Sequence, residues 1–365
     1  MSTLIKDICK AMETWAPLVW QESYDNAGLM TGYPSNEVSG ILVTLDCTEA
    51  VIEEAVQRNC NVIIAHHPII FKGLKSLTGK NYVEKTVIAA IKNNIAIYAS
   101  HTNLDHAPKG VSYHLAQKLG ISGKVLAPIN DGLKKLSFFV PIENQEQVRN
   151  ALHEAGAGNI GEYSACSFTV EGEGRFTPSE GSNPTIGKSL QAEQVREVKI
   201  EMIFPKYAES QIIEALKKAH PYEEVAYYIH TLDNTWNEVG AGYIGNLSDE
   251  LSEEEFIPFV KEKLGLIQLR HTPLIHKKIK KVAVCGGAGS FLIKQALAAG
   301  ADAYITGDIK YHEFFDSENR MLLLDVGHYE SEVMIKDAIC SYLSNIFCNF
   351  AVLKSEIITN PVNFA

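Results

Sequence analysis

A chain of 365 residues with 46% hydrophobic and 21% charged residues has room for two or three domains, and its core needs no disulfide or metal to fold. Its net charge of −11 repels a phosphate backbone and argues against general nucleic-acid binding. Seven scattered cysteines without a CxxC pair, and no apolar run long enough for a membrane span, predict a cytoplasmic protein with reduced thiols and no membrane partner.

The N-terminal segment predicts an amphipathic helix. Residues 1–20 carry charges throughout and lack the apolar core and cleavage site of a signal peptide. The polar segment "ESYDNAGLMTG" (22–32) follows, and its Asp25, Asn26 and Gly28 predict a turn.

The first third of the chain then alternates β-rich and helical patterns. Three strands are predicted, at residues 40–46, 61–67 and 95–101. Two helices separate them, at residues 47–59 and 81–94, and Thr48 is suited to cap the first. Alternation of this kind predicts a parallel α/β sheet.

The middle of the chain has a different pattern, in the order βαββαβ. The predicted elements are strand 136–142, helix 144–156, strand 163–170, strand 196–205, helix 208–220 and strand 224–232. This order predicts a ferredoxin-like domain, inserted at residues 128–238. Its Gly-rich stretch 171–191 is either a functional loop or disordered, and "HPYEE" (220–224) predicts a helix-to-strand connection, since Pro221 ends the helix.

The last third resembles the first in layout. The predicted elements are strand 280–287, helix 290–300, strand 301–308, strand 320–328 and helix 329–347. We interpret residues 1–127 and 239–365 as two α/β lobes of one domain. The turn "GGAGS" (286–290) is consistent with an anion site at a helix start or with a tight turn that needs glycine.

Side chains typical of metal sites follow three of the predicted strands. The three groups are His66 with His67, His101 with Asp105, and Asp325 with His328, Glu330 and Glu332. Each group alone is more simply explained as solvated polar residues. Ligands collect beyond the carboxyl ends of parallel strands, however, so the three groups together favour one shared site.

The spacing supports this interpretation. His328 and Glu332 are four residues apart and share one helical face, while Pro68 restricts the backbone of His67. Imidazoles and carboxylates without thiolates suit zinc, iron, manganese or nickel, and a bridging carboxylate suggests a dinuclear site that activates water. Asp308 and His312 are candidates for the same cleft.

The segments "ESYDNAGL", "IIAHHPIIF", "SHTNLD" and "GHYESE", in this order, resemble the NGG-one-interacting-factor-three-like family. Its members are labelled GTP cyclohydrolase type two homologues and have a dinuclear metal centre. The resemblance covers both lobes, and the middle domain resembles the insert of longer bacterial members, which is similar to PII and CutA domains.

The resemblance implies a site and an assembly. It implies two divalent ions per chain, with zinc preferred, and a toroidal homohexamer whose sites face an internal cavity. Glu332 would bridge the two ions and His101 would be a pocket histidine. The implied metal ligands are His66, His67, Asp105, His328 and Glu332.

Two classes of function remain open from the sequence. The first is a metal-dependent hydrolase that attacks a nucleotide-like or phosphoester substrate with metal-activated water, with His101 or Glu330 as the catalytic proton carrier. The second is a non-catalytic regulatory or interaction assembly, gated by the PII-like insert.

Overall fold

The computed structural model describes residues 2–130 and 132–364. The chain divides into two compact units. The larger unit combines Met1–Pro128 with Glu238–Ala365, and the smaller unit is the middle segment Ile129–Asn237.

Strands and helices alternate through the first part of the chain, as the hydrophobic pattern predicts. The elements are α1 (Ile5–Trp15), β1 (Gly28–Thr31), β2 (Gly40–Thr44), α2 (Glu49–Gln57), β3 (Val62–Ala65), α3 (Tyr82–Lys92), β4 (Ala96–Ala99), α4 (Thr102–His106), α5 (Val111–Lys118) and β5 (Ser122–Ile129). The Thr48 side chain accepts a hydrogen bond from the Val51 N–H and caps α2 as predicted. Strand β3 ends before His66, so both histidines follow the strand.

The middle unit has the predicted βαββαβ order. Its elements are β6 (Leu133–Pro141), α6 (Gln145–Glu154), β7 (Phe168–Phe176), β8 (Glu193–Pro205), α7 (Glu209–Ala219) and β9 (Tyr227–Thr231). The strands lie in the order β7–β8–β6–β9, and each adjacent pair is antiparallel. One face of this sheet buries Phe138 and Ile200 against Leu152 of α6 and Leu216 of α7.

Strand β7 differs from its prediction. The predicted strand 163–170 begins at Phe168 and continues through the Gly-rich stretch to Phe176. Glycine is a poor strand former, so the composition of this part predicts a functional loop or a disordered segment. Pairing along nine residues with the long strand β8 overrides that preference.

The last part of the chain completes the larger unit. Its elements are β10 (Trp236–Ser252), α8 (Glu253–Leu264), β11 (Arg270–His271), β12 (Lys278–Val284), α9 (Ile293–Ala298), β13 (Ala303–Thr306), β14 (Leu322–Asp325), α10 (His328–Glu332), α11 (Ile335–Ile346) and β15 (Ala351–Lys354). The single helix predicted over 329–347 is thus divided into α10 and α11. None of the helices in the described ranges combines the length and the apolar composition of a membrane span.

The larger unit contains two sheets of similar plan. Their strand orders are β1–β4–β3–β2–β15 and β11–β14–β13–β12–β10–β5. In each, three consecutive strands of the chain run parallel, and a short antiparallel strand pairs with the third. The α/β fold class is confirmed.

The two lobes also exchange elements. Strand β15, from the end of the chain, pairs in parallel with β2 of the first sheet, and α11 buries Ile335 and Ile339 in the first core. Helix α5 instead contributes Leu115 and Ala116 to the core of the second sheet. Neither lobe is therefore a continuous stretch of chain.

Candidate metal centre

Side chains from both sheets meet at the carboxyl ends of parallel strands. His66 and His67 follow β3 directly, and Asp105 lies on α4, the short helix after β4. His328 and Glu332 lie on α10, which begins three residues after β14. All five predicted ligand positions are thus located at strand ends, where the polypeptide leaves the sheet.

The Glu332 carboxylate lies at the centre of this group and is buried. Its Oε1 atom is 3.7 Å from His66 Nε2. Its Oε2 atom is 3.0 Å from His67 Nε2 and 3.1 Å from His328 Nε2. The Asp105 Oδ1 atom is 3.7 Å from His66 Nε2. The two oxygens of one carboxylate therefore face different histidines.

These donors fit a metal ion. His66 Nε2 is buried and has no hydrogen-bond partner among the described residues, which is costly unless a cation uses the nitrogen. Bonds of about 2.0–2.1 Å in a tetrahedral site put neighbouring donors about 3.3 Å apart, close to the distances around Glu332. His66, His67 and Glu332 lie near enough to one another to hold a metal ion.

Each histidine is oriented through its other ring nitrogen. His66 Nδ1 lies 2.7 Å from the Ser100 carbonyl oxygen, so Nδ1 carries the proton and donates it. His67 Nδ1 pairs with Asp46 at 2.8 Å, and His328 Nδ1 pairs with Asp308 at 2.8 Å. A proton held at Nδ1 leaves Nε2 as the lone pair that a metal needs.

The local charges favour a cation. Burial and the neighbouring charge of Glu332 raise the pKa of Asp105. Burial would lower the pKa of His67, but hydrogen bonds to Asp46 and Glu332 outweigh it and raise the pKa to about 10. The pKa of His328 is raised to about 9 in the same way, since Glu332 and Asp308 outweigh its burial. The surrounding carboxylates thus stabilise positive charge at these imidazoles, as a proton or as a bound cation.

The "GGAGS" turn packs against the Glu332 carboxylate. A Cβ on Gly287 would lie 2.3 Å from Glu332 Oε1, and Gly287 has φ +62°. The Gly287 N–H donates to Ser331 Oγ, and the Gly289 N–H donates to Thr306 Oγ1. These amides are occupied, so the structure favours the tight-turn interpretation over the anion site.

His101 lies beside the cluster. Its ring centre is 5.4 Å from that of His66 and 5.5 Å from that of His67. Its Nδ1 atom is 2.7 Å from Oδ1 of Asp25, whose side chain is fully buried. Burial opposes ionisation of Asp25, but hydrogen bonds from His101 and Thr102 prevail and lower its pKa. The resulting carboxylate orients the imidazole.

Glu330 is not part of the ligand cluster. It lines a cavity of about 840 Å³, together with His67, His101 and His328. Its Oε1 atom accepts a hydrogen bond of 2.8 Å from the Asn360 side chain. The end of the chain therefore forms part of the cavity wall.

Two other residues singled out from the sequence have different roles. Asp325 pairs with Arg270 and accepts hydrogen bonds from the Ile309 and Gly327 N–H groups at 3.0 and 3.1 Å. These contacts stabilise the loops that contain Asp308 and His328. His312 packs against Tyr311 and is not among the residues that line the cavity.

Two acidic residues support the site in ways that were not predicted: Asp46 pairs with His67, and Asp25, which was predicted only as a turn residue, pairs with His101. Asp46 follows β2 by two residues, and so repeats the pattern of an acidic or imidazole group after a buried strand. That signal was available from the sequence. The pairing of Asp25 with His101 was not, since 76 residues separate them.

A family model described as Duf34/NIF3 (NGG1p interacting factor 3) matches residues 3–361. A Bacillus subtilis (strain 168) protein named GTP cyclohydrolase 1 type 2 homolog is 41% identical over 367 residues, with 98% of each chain covered. The crystal structure of a Bacillus cereus protein related to NIF3 covers 100% of both chains, at 39% identity and a TM-score of 0.89. A Staphylococcus aureus protein of solved structure covers 100% of this chain and 99% of its own, at 31% identity and a TM-score of 0.79.

Proposed function

This chain belongs to the Duf34/NIF3 family, and on that premise we propose that it is a metal-dependent hydrolase of a nucleotide-like or phosphoester substrate. One observation carries the proposal. The buried Glu332 carboxylate directs one oxygen toward His66 and the other toward His67 and His328, as a carboxylate that bridges two cations would.

The proposed ligands form two sets that share Glu332. His66 and Asp105 would complete one set, and His67 and His328 the other. Nitrogen and oxygen donors suit zinc best, with iron, manganese or nickel as alternatives. When bound, a pair of divalent ions lowers the pKa of a coordinated water toward about 7, which supplies a nucleophile at neutral pH.

Two residues of the chain are proposed to move the proton. His101 holds its Nδ1 proton toward Asp25, so its Nε2 atom is left free to accept a proton. Glu330 lines the cavity beside His328 and is the second candidate. Either would act as general base toward water and then as general acid toward the leaving group.

The residues that line the cavity are suited to a substrate with a flat ring and an anionic group. Phe71 is 43% exposed and offers a ring at the cavity wall beside His101. The Arg270 guanidinium borders the same cavity and suits a phosphate. The name shared by the curated relatives, GTP cyclohydrolase 1 type 2 homolog, makes ring opening of a purine nucleotide one version of the proposal, and phosphoester hydrolysis the other.

A non-catalytic metal site is the second candidate. His66 and Glu332 are buried, and a site closed to solvent is typical of a structural metal. The open side of the cluster, where His328 is 36% exposed, favours catalysis instead. The toroidal homohexamer and the cytoplasmic location stay predictions from the resemblance and the composition.

The test measures metal content and turnover separately. Elemental analysis of the purified full chain is expected to find about two divalent ions per chain, and far fewer in Glu332→Gln and His67→Ala. His312→Ala is the matched control, because this exposed histidine lies outside the cavity, and it should keep its metal.

Turnover is then measured on a panel of nucleotides and phosphoesters. His101→Ala is expected to lower kcat by roughly 10²- to 10⁴-fold, as for loss of a general base, with the metal retained. Full activity in metal-depleted protein would contradict the hydrolase proposal. A fully loaded protein without turnover on the whole panel would favour the non-catalytic alternative.

A further inference from the structure

The middle unit contains a cavity of its own, of about 650 Å³, within the size range of small-molecule sites. It lies on the face of the sheet opposite to α6 and α7, since Phe139, Glu197 and Lys199 alternate along their strands with the buried Phe138 and Val198. The loop between β7 and β8 covers it. Its walls include the aromatic rings of Phe139, Phe176, Tyr222 and Tyr228.

Four of the seven charged residues that line this cavity form ion pairs, whereas its buried carboxylate, Glu197, does not. Glu173 pairs with Arg175 at 2.9 Å, Glu171 with Arg196 at 2.8 Å, and Lys199 with Glu201 at 2.7 Å. Glu197 is only 8% exposed, and no cation of the described residues lies within ion-pair distance of it. A buried carboxylate without a counter-charge is costly, so it marks a position where a cation is expected to bind.

A second buried polar group, the Tyr222 hydroxyl, lies next to Glu197 and interacts with its carboxylate, but it brings no positive charge. Burial and the adjacent Glu197 carboxylate raise the pKa of Tyr222, so the phenol stays neutral. His220 fixes this tyrosine, because its Nδ1 atom accepts the Tyr222 N–H at 3.1 Å while Nε2 donates to the Phe139 carbonyl at 2.9 Å.

The "HPYEE" motif also holds the covering loop. The Asn183 N–H donates to Glu223 at 2.9 Å, and the Thr185 hydroxyl donates to the Pro221 carbonyl at 2.7 Å. The glycines of β7 leave room for the Glu197 side chain and for the cavity beside it. A Cβ on Gly174 would lie 2.0 Å from Glu197 Oε2, while one on Gly172 would meet nothing within 4 Å.

We propose that this cavity binds a small organic cation with a flat amidinium, guanidinium or aromatic ammonium head. The head would pair with Glu197, and its flat face would lie against the aromatic walls. Carboxylates bind planar cations with paired hydrogen bonds, and aromatic rings attract cations through their faces. The middle unit is therefore a ligand-binding module with chemistry separate from that of the metal centre.

The test compares two probes of the same shape and different charge. Benzamidinium and neutral benzamide are titrated into the full chain, and binding is followed by isothermal calorimetry and by ligand-detected NMR. Saturable binding of benzamidinium is expected, with benzamide at least tenfold weaker. Glu197→Gln should weaken benzamidinium by roughly 10- to 100-fold, as for loss of a charged partner.

Two further variants separate this site from other acidic surfaces. Glu214→Gln removes an exposed carboxylate of α7 and should bind benzamidinium as the wild type does. Gly172→Val fills the open space of the cavity while Glu197 stays in place, and should also abolish binding. Three results would overturn the proposal. Benzamidinium could bind Glu197→Gln and the wild type equally, benzamide could bind the wild type as tightly as benzamidinium does, or benzamidinium could fail to bind the wild type. Circular dichroism of each variant checks that the fold is kept.

Discussion

At the scale of single residues, the position of the Glu332 carboxylate depends on Gly287, which packs against it. The Glu332 carboxylate faces three histidines, and only a residue without a Cβ fits against its Oε1 atom at position 287. The imidazoles are likewise held by groups outside the cluster, Asp46 and Asp308. Small displacements of such supporting groups are expected to cost metal affinity without unfolding the chain.

Gly287→Ala tests this dependence. The new methyl group would lie 2.3 Å from Glu332 Oε1, so the carboxylate must move, and we expect metal affinity to fall by at least about tenfold. Gly300→Ala is the matched control, because Gly300 has φ +73° but open space around it. Both variants should lose about 1–2 kcal/mol of stability from the positive φ. Elemental analysis and thermal unfolding distinguish the two effects, and unchanged metal content in Gly287→Ala would contradict the expectation.

At the scale of elements, short parallel strands and the turns after them position the site. The local pattern predicted β2, β3 and β4 within a few residues, because each is a buried apolar run bounded by turn residues. It did not predict that β15 joins the first sheet beside β2. A four-residue strand carries too little periodicity to identify its partner across the whole chain.

The attachment of this last strand should depend on pH. Glu54 of α2 accepts hydrogen bonds from the Ser355 hydroxyl and from the Glu356 N–H, both directly after β15. Burial opposes ionisation, but these hydrogen bonds and Arg58 prevail and lower the pKa of Glu54 below its usual 4.5. A lowered pKa in the folded state stabilises the protein above the unfolded pKa, and the contribution is lost as pH falls through the folded value.

We therefore expect Glu54→Gln to be less stable than wild type at pH 7, and the difference to shrink below about pH 4.5. Urea unfolding at pH 7, 5 and 3.5 measures this. The exposed neighbour Glu53 provides the control, since Glu53→Gln should change little at any of these values. A difference that is independent of pH would show that Glu54 acts through packing alone.

At the scale of the whole molecule, the two strands of the larger unit that flank the middle segment lie side by side. Strands β5 and β10 are neighbours in the second sheet, and a Cβ on Gly240 would lie 2.6 Å from the Pro128 Cα atom. The two chain ends left by removing Ile129–Asn237 are thus adjacent. Every proposed metal ligand lies in the larger unit.

We expect the larger unit to fold without the insert. Joining Pro128 to Glu238 through a linker of about four residues, a common loop length, should preserve circular dichroism and metal content. The separate segment 129–237 should fold around its own core of Phe138, Ile200 and Leu216 and bind benzamidinium. A folded large unit without metal would show that the insert contributes to the metal centre.

The family, the α/β class and the strand ends at which histidines and acids occur can all be predicted from the amino-acid sequence, because they are local features of pattern and composition. Folding in three dimensions sets which oxygens of Glu332 face which imidazoles, pairs Asp25 with His101 and Asp46 with His67, and places β15 in the first sheet. It also brought Glu197 and Tyr222 together in the middle unit. Contacts of this kind depend on strand pairing and packing between distant segments, which hydrophobic periodicity does not encode.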